Sequence, residues 1–292
     1  MLKTDTIIEI KRNDIVEKAY CGSVIALDKN GRKLLDFSYD DRQNIILRSF
    51  QKPFQAYAFI KSGAYEKYGI TKQELAVISG SHAGTPKQAE LVKCILKKSG
   101  LKISDLKCPA EYPLDEKAKY ELIKAGKRPA PVYCNCSGKH AGILASSKAS
   151  GVEINGYLES EHPIQKKIAE YTLELCEFDK KIIAKDGCGV PVLAMPLENM
   201  AKGLLNLYNT AEGQEIISAS LKYPMLFGGN NRFDTEIIKI TNGKVFAKVG
   251  ACGLVGAINT KTKETLIVKI FADDHGARRE VMLRFMKQLK WL

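Results

Sequence analysis

At 292 residues, 45% hydrophobic and 27% charged, the chain is long enough to bury a large core and has an ordinary globular composition. No apolar run could span a bilayer, and the charges scattered through "MLKTDTIIEIKRNDIVEK" argue against a secretory leader, so a cytoplasmic protein with no membrane partner is expected. A net charge of +12 raises nucleic acid as a partner, but 36 Lys against 9 Arg, with no basic run alternating with aromatics, read as a solvated lysine-rich surface and no nucleic-acid partner.

The first forty residues read as strands. In "CGSVIALDKNGRKLLDFSY", β-rich flanks surround Asp28-Lys29-Asn30-Gly31, and Asn-Gly favours a tight hairpin turn. From about Pro53 to Gly151 the pattern turns helical, with three-and-four spacing in "PFQAYAFIKSGAYEKYG", "KQAELVKCILKKSG" and "DEKAKYELIKAGK". The run "AVIS" in "AVISGSHAGTP" reads as a short strand ending in a polar loop. "EHPIQKKIAEYTLELCEF" and "AEGQEIISASLKYP" supply two further helices. After Asn231, "KVFAKVGACGLVGAINTKTKETLIVKIFADD" gives three short strands, and "GARREVMLRFMKQLKWL" a terminal helix. Strands at both ends with helices between them predict an α+β unit: one antiparallel sheet built from both chain ends, a terminal helix on it, and a helical lobe.

Several segments carry chemistry. In "LRSFQKPFQAYAF", Ser49 and Lys52 form Ser-x-x-Lys, the spacing at which an amine one turn away can activate a serine hydroxyl. The apolar neighbours Phe50, Phe54 and Ala56 favour a partly desolvated amine. Pro53 disfavours the α region at Lys52, so both a helical turn and a cap fit these residues. A helix start with a solvated lysine is the plainer reading. Ser79, Ser81 and His82 lie on a loop at an element end, where either function or a serine-rich cap is found.

Eight cysteines with no export signal point to free thiols or metal ligands, not to a disulfide frame. "CNCSGKH" gathers Cys134, Cys136, Lys139 and His140, and "AKDGCGVPV" sets Asp186 and Cys188 between glycines. Buried inert cysteine is the common alternative. Flanking Gly, Ser, Asn and Asp are poor core neighbours, which favours thiolate ligands for zinc or a related metal.

In order, "RSFQKPFQA", "SHAGTP", "CNCSGKHAGIL", "DGCGVPV", "GGNNRFDTEII" and "VKIFADDHGARR" resemble the motif series of the asparaginase II family, the Rhizobium-etli-type L-asparaginases. The resemblance runs from about Arg48 to Arg279 and implies a serine β-lactamase-like fold. One domain over 1–292 is then expected, with a sheet lobe over about 1–48 and 232–292 and a helical lobe over about 49–231. It implies two Ser–Lys pairs: Ser49, the nucleophile, with Lys52, and Ser81 with Lys269. It implies Cys136, Lys139 and Cys188 as ligands of one zinc ion per chain, which accounts for the odd spacing by making an amine the third ligand. Arg48, Asn135, His140 and Asp186 are the implied substrate-binding residues, with Arg48 on the carboxylate and Asp186 on the ammonium.

The expected reaction is hydrolysis of L-asparagine to L-aspartate and ammonia, carried out by a homodimer. Cys134 stands where the family commonly has His, Ala83 where a serine is common, and Cys252 where "GAEG" is usual, and the chain ends at Leu292, earlier than typical members. Those departures leave asparagine-versus-glutamine preference open. The alternatives are a Ser–Lys hydrolase acting on another amide or a β-lactam, and a non-catalytic metal- or thiol-sensing binding protein.

Overall fold

The strand signals at the two chain ends meet in one sheet. The computed structural model of the protein describes residues 6–38, 42–271 and 275–292, so Ala272, Asp273 and Asp274 of the last motif lie outside the described residues. Strands β1 (Thr6–Arg12) and β2 (Ile15–Leu27) pair antiparallel, and β2 pairs onward with β3 (Lys33–Asp36). At the turn between β2 and β3, Asp28 Oδ1 accepts from the N–H groups of Asn30 and Arg32, while Gly31 takes φ +78°. The side chain of Asp28 thus does locally what a backbone acceptor would, and Gly31 supplies the left-handed angle at no steric cost.

The central chain runs through β4 (Ile45–Ile46), a 3-10 turn at Arg48–Gln51, and six helices: α1 (Lys52–Lys61), α2 (Ala64–Lys67), α3 (Lys72–Ser79), α4 (Pro86–Lys98), α5 (Glu116–Lys124) and α6 (Ser137–Ala149). Then come α7 (Pro163–Leu175), β5 (Ile183–Lys185), β6 (Pro191–Met195), α8 (Leu197–Asn209), α9 (Ala211–Lys222), α10 (Pro224–Phe227) and α11 (Phe233–Ile240). The chain closes with β7 (Val245–Val249), β8 (Leu254–Asn259), β9 (Thr265–Ile270) and α12 (His275–Gln288). The main sheet has the order β1-β2-β9-β8-β7, and β4, β6 and β5 make a small second sheet. All pairings are antiparallel, as the α+β reading requires.

Alternation along the strands divides the core. Val24 and Ala26 share a cluster with Val281, Met282 and Phe285 of α12. Ile25 and Leu27 turn the other way and join Phe50 and Phe54 in the larger helical cluster. Among the described residues no helix is long and apolar enough to cross a membrane.

The run "AVIS" is not a strand; it is the C-terminal half of α3. Thr71 and Glu74 form a capping box that starts a helix at Lys72, four residues before that run begins at Ala76, and the run is buried against other helices. Helices α8 and α10 and the small sheet had no counterpart in the sequence reading, and α11 opens the stretch after Asn231 that reads as strands.

The seam between α3 and α6 positions the site. A Cβ on Gly138 would lie 2.3 Å from the carbonyl oxygen of Val77, and one on Gly142 would lie 2.8 Å from Ile78 Cγ2. The two helices therefore approach almost backbone to backbone. That brings the loop after α3, with Ser81, beside the loop before α6, with Asn135 and Cys136.

Candidate active site

Ser49 lies on the 3-10 turn and Lys52 opens α1 with helical angles, φ −57° and ψ −39°. The proline that follows does not push Lys52 out of the helix. Lys52 is 1% exposed, and its Nζ donates to Ser81 Oγ at 2.9 Å and to the Asn135 carbonyl at 3.0 Å. Lys248, next to the last residue of β7, reaches the same oxygen at 3.0 Å. Its Nζ also donates to the Val249 carbonyl at 2.7 Å and lies 3.5 Å from Asp234 Oδ2. Ser81 is thus held between two buried amines, and Ser49 faces the same cavity.

Burial pushes the pKa of Lys248 down to about 7, against the pull of the Asp234 carboxylate; the charges of Lys52 and Arg232 act in the same direction as burial. Lys248 is therefore poised to exchange a proton near neutral pH, and Ser81 is a hydroxyl through which that proton can pass.

This geometry corrects the assignment of Lys269 as partner of Ser81. Lys269 Nζ donates to the carbonyls of Cys252 and Ile270 instead. Both lysines sit on the sheet face that meets the helices, each sharing its strand face with a residue of the helical cluster, Phe246 or Ile267. What separates them is sheet order, which puts β7 at the end of the main sheet and β9 in its interior.

The cavity beside these groups has a volume of about 400 Å³ and is lined by Ser49, Ser81, Asn135, Arg232 and Asp234 among others. Of the four expected substrate-binding residues, only Asn135 is on this wall. Arg48 and Asp186 are instead occupied with each other, Nε to Oδ1 at 2.6 Å, and Arg48 also reaches Cys252 Sγ at 3.6 Å. Arg48 has φ +49°, a left-handed angle unusual for its residue type, one residue before Ser49. His140 lies inside α6 with no exposure, and its Nδ1 is 2.8 Å from the Tyr157 hydroxyl. Burial, assisted by the charge of Lys139, lowers its pKa well below the ordinary histidine value. His82 is likewise buried, its pKa lowered to about 3 by desolvation and by the Lys52 charge. It accepts from the Gly84 N–H on Nδ1, so Nε2 carries the proton toward Ser137 Oγ at 2.9 Å, tying the Ser81 loop to the start of α6.

The cysteine motifs converge a short distance away. Donor atoms of Cys136, Asp186 and Cys188 all lie within 4.8 Å of one another, and all three residues are buried. Lys139 Nζ is 2.8 Å from Cys188 Sγ, and Cys188 Sγ is 3.5 Å from Asp186 Oδ2. Hydrogen bonds from Cys134 and Cys188, with the charges of Lys52 and Lys139, hold the Cys136 pKa well below that of an ordinary thiol. Burial works against the Asp186 carboxylate, yet the charge of Lys139 and the bond from Arg48 bring its pKa below the usual carboxylate value. Two sulfurs, an amine and a carboxylate gathered in one buried cluster are donor types that zinc takes, so the chemistry of the set fits zinc. Asp186 is a fourth donor that the sequence reading had reserved for substrate. All eight cysteines are free thiols.

Sequence reasoning missed Lys248, Asp234 and Arg232. Their signals were a lysine inside the apolar run "VFAKVG", and an Arg–Phe–Asp triplet after two glycines and two asparagines at a helix start.

No curated protein matches the chain significantly. Among solved structures it is similar to a β-lactamase from Mycobacterium bovis, with TM-score 0.50 and 15% identity over 91% of this chain and 94% of that one. It is also similar to the LovD6 mutant of a simvastatin synthase from Aspergillus terreus, with TM-score 0.41 and 8% identity over 89% and 90% of the two chains. The first likeness shows a β-lactamase-like fold. Residues 8–292 match the family model described as L-asparaginase II, and with the fold and the buried lysines around Ser81 now described, the chain belongs to the L-asparaginase II family of hydrolases.

Proposed function

We propose that the protein hydrolyses L-asparagine to L-aspartate and ammonia, with Ser49 as nucleophile. The observation that carries the reading is Ser81 Oγ held at 2.9 Å from Lys52 Nζ and 3.0 Å from Lys248 Nζ, on the wall of the cavity that Ser49 also lines. Two amines this close to one oxygen form a ready proton path. As Ser49 Oγ bonds to the side-chain amide carbon, its proton passes to Lys52, Lys52 gives one to Ser81, and Ser81 gives its own to neutral Lys248. Reversing the path delivers a proton to the amide nitrogen as the C–N bond breaks, releasing ammonia and leaving Ser49 acylated. Water then attacks the ester carbon, its proton takes the same route, and Ser49 is regained as aspartate leaves.

Cys136, Lys139 and Cys188, with Asp186, would hold a zinc ion, which when bound supplies a fixed positive charge joining the 134–140 and 186–189 loops. Arg48, the residue before Ser49, pairs with Asp186 of that cluster, so the cluster helps to set the turn on which the nucleophile sits.

Ammonia release from L-asparagine by the purified protein tests the reading. Activity should fall by at least about 1,000-fold in Ser49→Ala. A folded wild-type protein that releases no ammonia from asparagine would refute it. β-Lactam or peptide cleavage in its place would point to a different amide substrate for the same groups.

A further inference from the structure

The charged side chains around the cavity are nearly all engaged with one another, and this singles out one of them. Asp234 pairs with Lys248 at 3.5 Å. Glu236 accepts from Arg279, whose Nε lies 2.9 and 3.0 Å from its two carboxylate oxygens. Arg278 donates to the Gly250 carbonyl at 3.2 Å. Arg48, the arginine that the motifs suggested for the substrate carboxylate, is paired with Asp186 and is not on the cavity wall.

Arg232 differs. It lines the same cavity as Ser49 and Ser81 and is half-buried, and among the described residues its guanidinium makes no hydrogen bond or ion pair. A partly desolvated guanidinium has five N–H donors and gains most from a carboxylate that takes two of them in parallel. Its charge is felt at the reacting groups, since it is among those that disfavour protonation of Lys248 and His82. Helix α11 begins at the next residue with no side-chain cap, and its first-turn residues Phe233 and Asp234 also face the cavity, so the helix end adds positive potential on that side.

We propose that Arg232 receives the α-carboxylate of the substrate, making the site selective for ω-amides of α-amino acids over simple amides. This rests on the amidohydrolase reading above. In asparagine three bonds separate the carboxylate carbon from the amide carbon, so one cavity must serve both ends. Ser49 and Arg232 share that cavity, whereas Arg48 would have to leave Asp186 to take part.

The test compares L-asparagine with β-alaninamide, which is asparagine without its α-carboxylate, and with succinamate, which keeps the carboxylate but lacks the ammonium group. In wild type, kcat/KM should favour asparagine over β-alaninamide strongly, because the amide without a carboxylate leaves the guanidinium unpaired. Arg232→Gln should shrink that preference by about 100-fold, chiefly through KM, and should lower succinamate hydrolysis along with asparagine. Arg232→Lys should restore part of it. The assignment is overturned if Arg232→Gln lowers kcat/KM equally for asparagine and β-alaninamide, or if Arg48→Gln rather than Arg232→Gln erases the preference. Titration of L-aspartate into wild type and Arg232→Gln separates this outcome from failure of the asparaginase reading. Aspartate binding weakened about 100-fold by Arg232→Gln supports the carboxylate site whether or not asparagine is hydrolysed, and unchanged binding removes it.

Discussion

Lys248 Nζ lies 3.0 Å from Ser81 Oγ, though the two residues are 167 positions apart. With Lys52 at 2.9 Å from the same oxygen, this contact joins a strand of the sheet, the loop after α3 and the start of α1 into one proton path. Lys248→Met should lower kcat/KM for asparagine by about 100- to 1,000-fold with the fold retained, measured by coupled ammonia detection and circular dichroism. Lys269→Met should cost less than tenfold. The reverse ranking would return the partner role to Lys269.

A second expectation concerns pH. Lys248, pushed down to about 7, accepts a proton only in its neutral form, so kcat/KM should rise as pH increases through about 7 and fall away on the acid side. The carboxylate of Asp234 raises this pKa, whereas burial and the charges of Lys52 and Arg232 lower it. Asp234→Asn should therefore move the rising limb to lower pH, and Asp234→Glu should restore it toward the wild-type position. A limb that stays in place in Asp234→Asn would assign the titration to another group.

Metal content gives a third check. Purified protein should carry about one zinc-like ion per chain by elemental analysis. Cys136→Ser and Cys188→Ser should each lower occupancy, and Asp186→Asn should lower it too, given its place in the cluster. Cys94→Ser, outside the cluster, should leave occupancy unchanged. Full occupancy in the Cys136/Cys188 double variant would dismiss these ligands.

The glycine seam predicts a stability effect. At Gly138 an added methyl would meet the Val77 carbonyl at 2.3 Å, a backbone atom that cannot swing aside. Gly138→Ala should destabilise by about 1–3 kcal/mol in urea unfolding, the usual cost of overpacking. A change within 0.5 kcal/mol would show that α3 and α6 separate easily.

The legible parts of the fold were those whose pattern is local. The turn at Gly31, the short apolar runs of β7, β8 and β9 and the stops around α4 and α7 are each written within a dozen residues. Helix α3 was misread because "AVIS" is apolar on every side, and period says nothing in a run buried all round; the Thr71–Glu74 box two turns earlier held the answer. Ser49, Ser81 and Asn135 line one cavity, and Lys52 reaches Ser81 and the Asn135 carbonyl. Lys248 and Lys269 could not be told apart in sequence, since each is a lysine in an apolar strand, and only strand order decides which one meets Ser81. Arg48 and Asp186 were assigned to substrate because nothing in their motifs shows that they neutralise each other across 138 positions.

The seam also divides the cavity into two walls with unequal freedom to evolve. On one side, Ser81 and Asn135 are fixed by a helix pair in which Gly138 and Gly142 leave no room for even a methyl group. On the other, Arg232, Phe233 and Glu236 project from the start of a single helix, where substitution need not move any catalytic backbone so long as Asp234 keeps its pairing with Lys248. A lineage drifting toward a new amide would thus keep its proton path and rewrite the short segment around α11. Mutant libraries confined to that segment should yield altered substrate choice far more often than libraries of equal size placed along the seam.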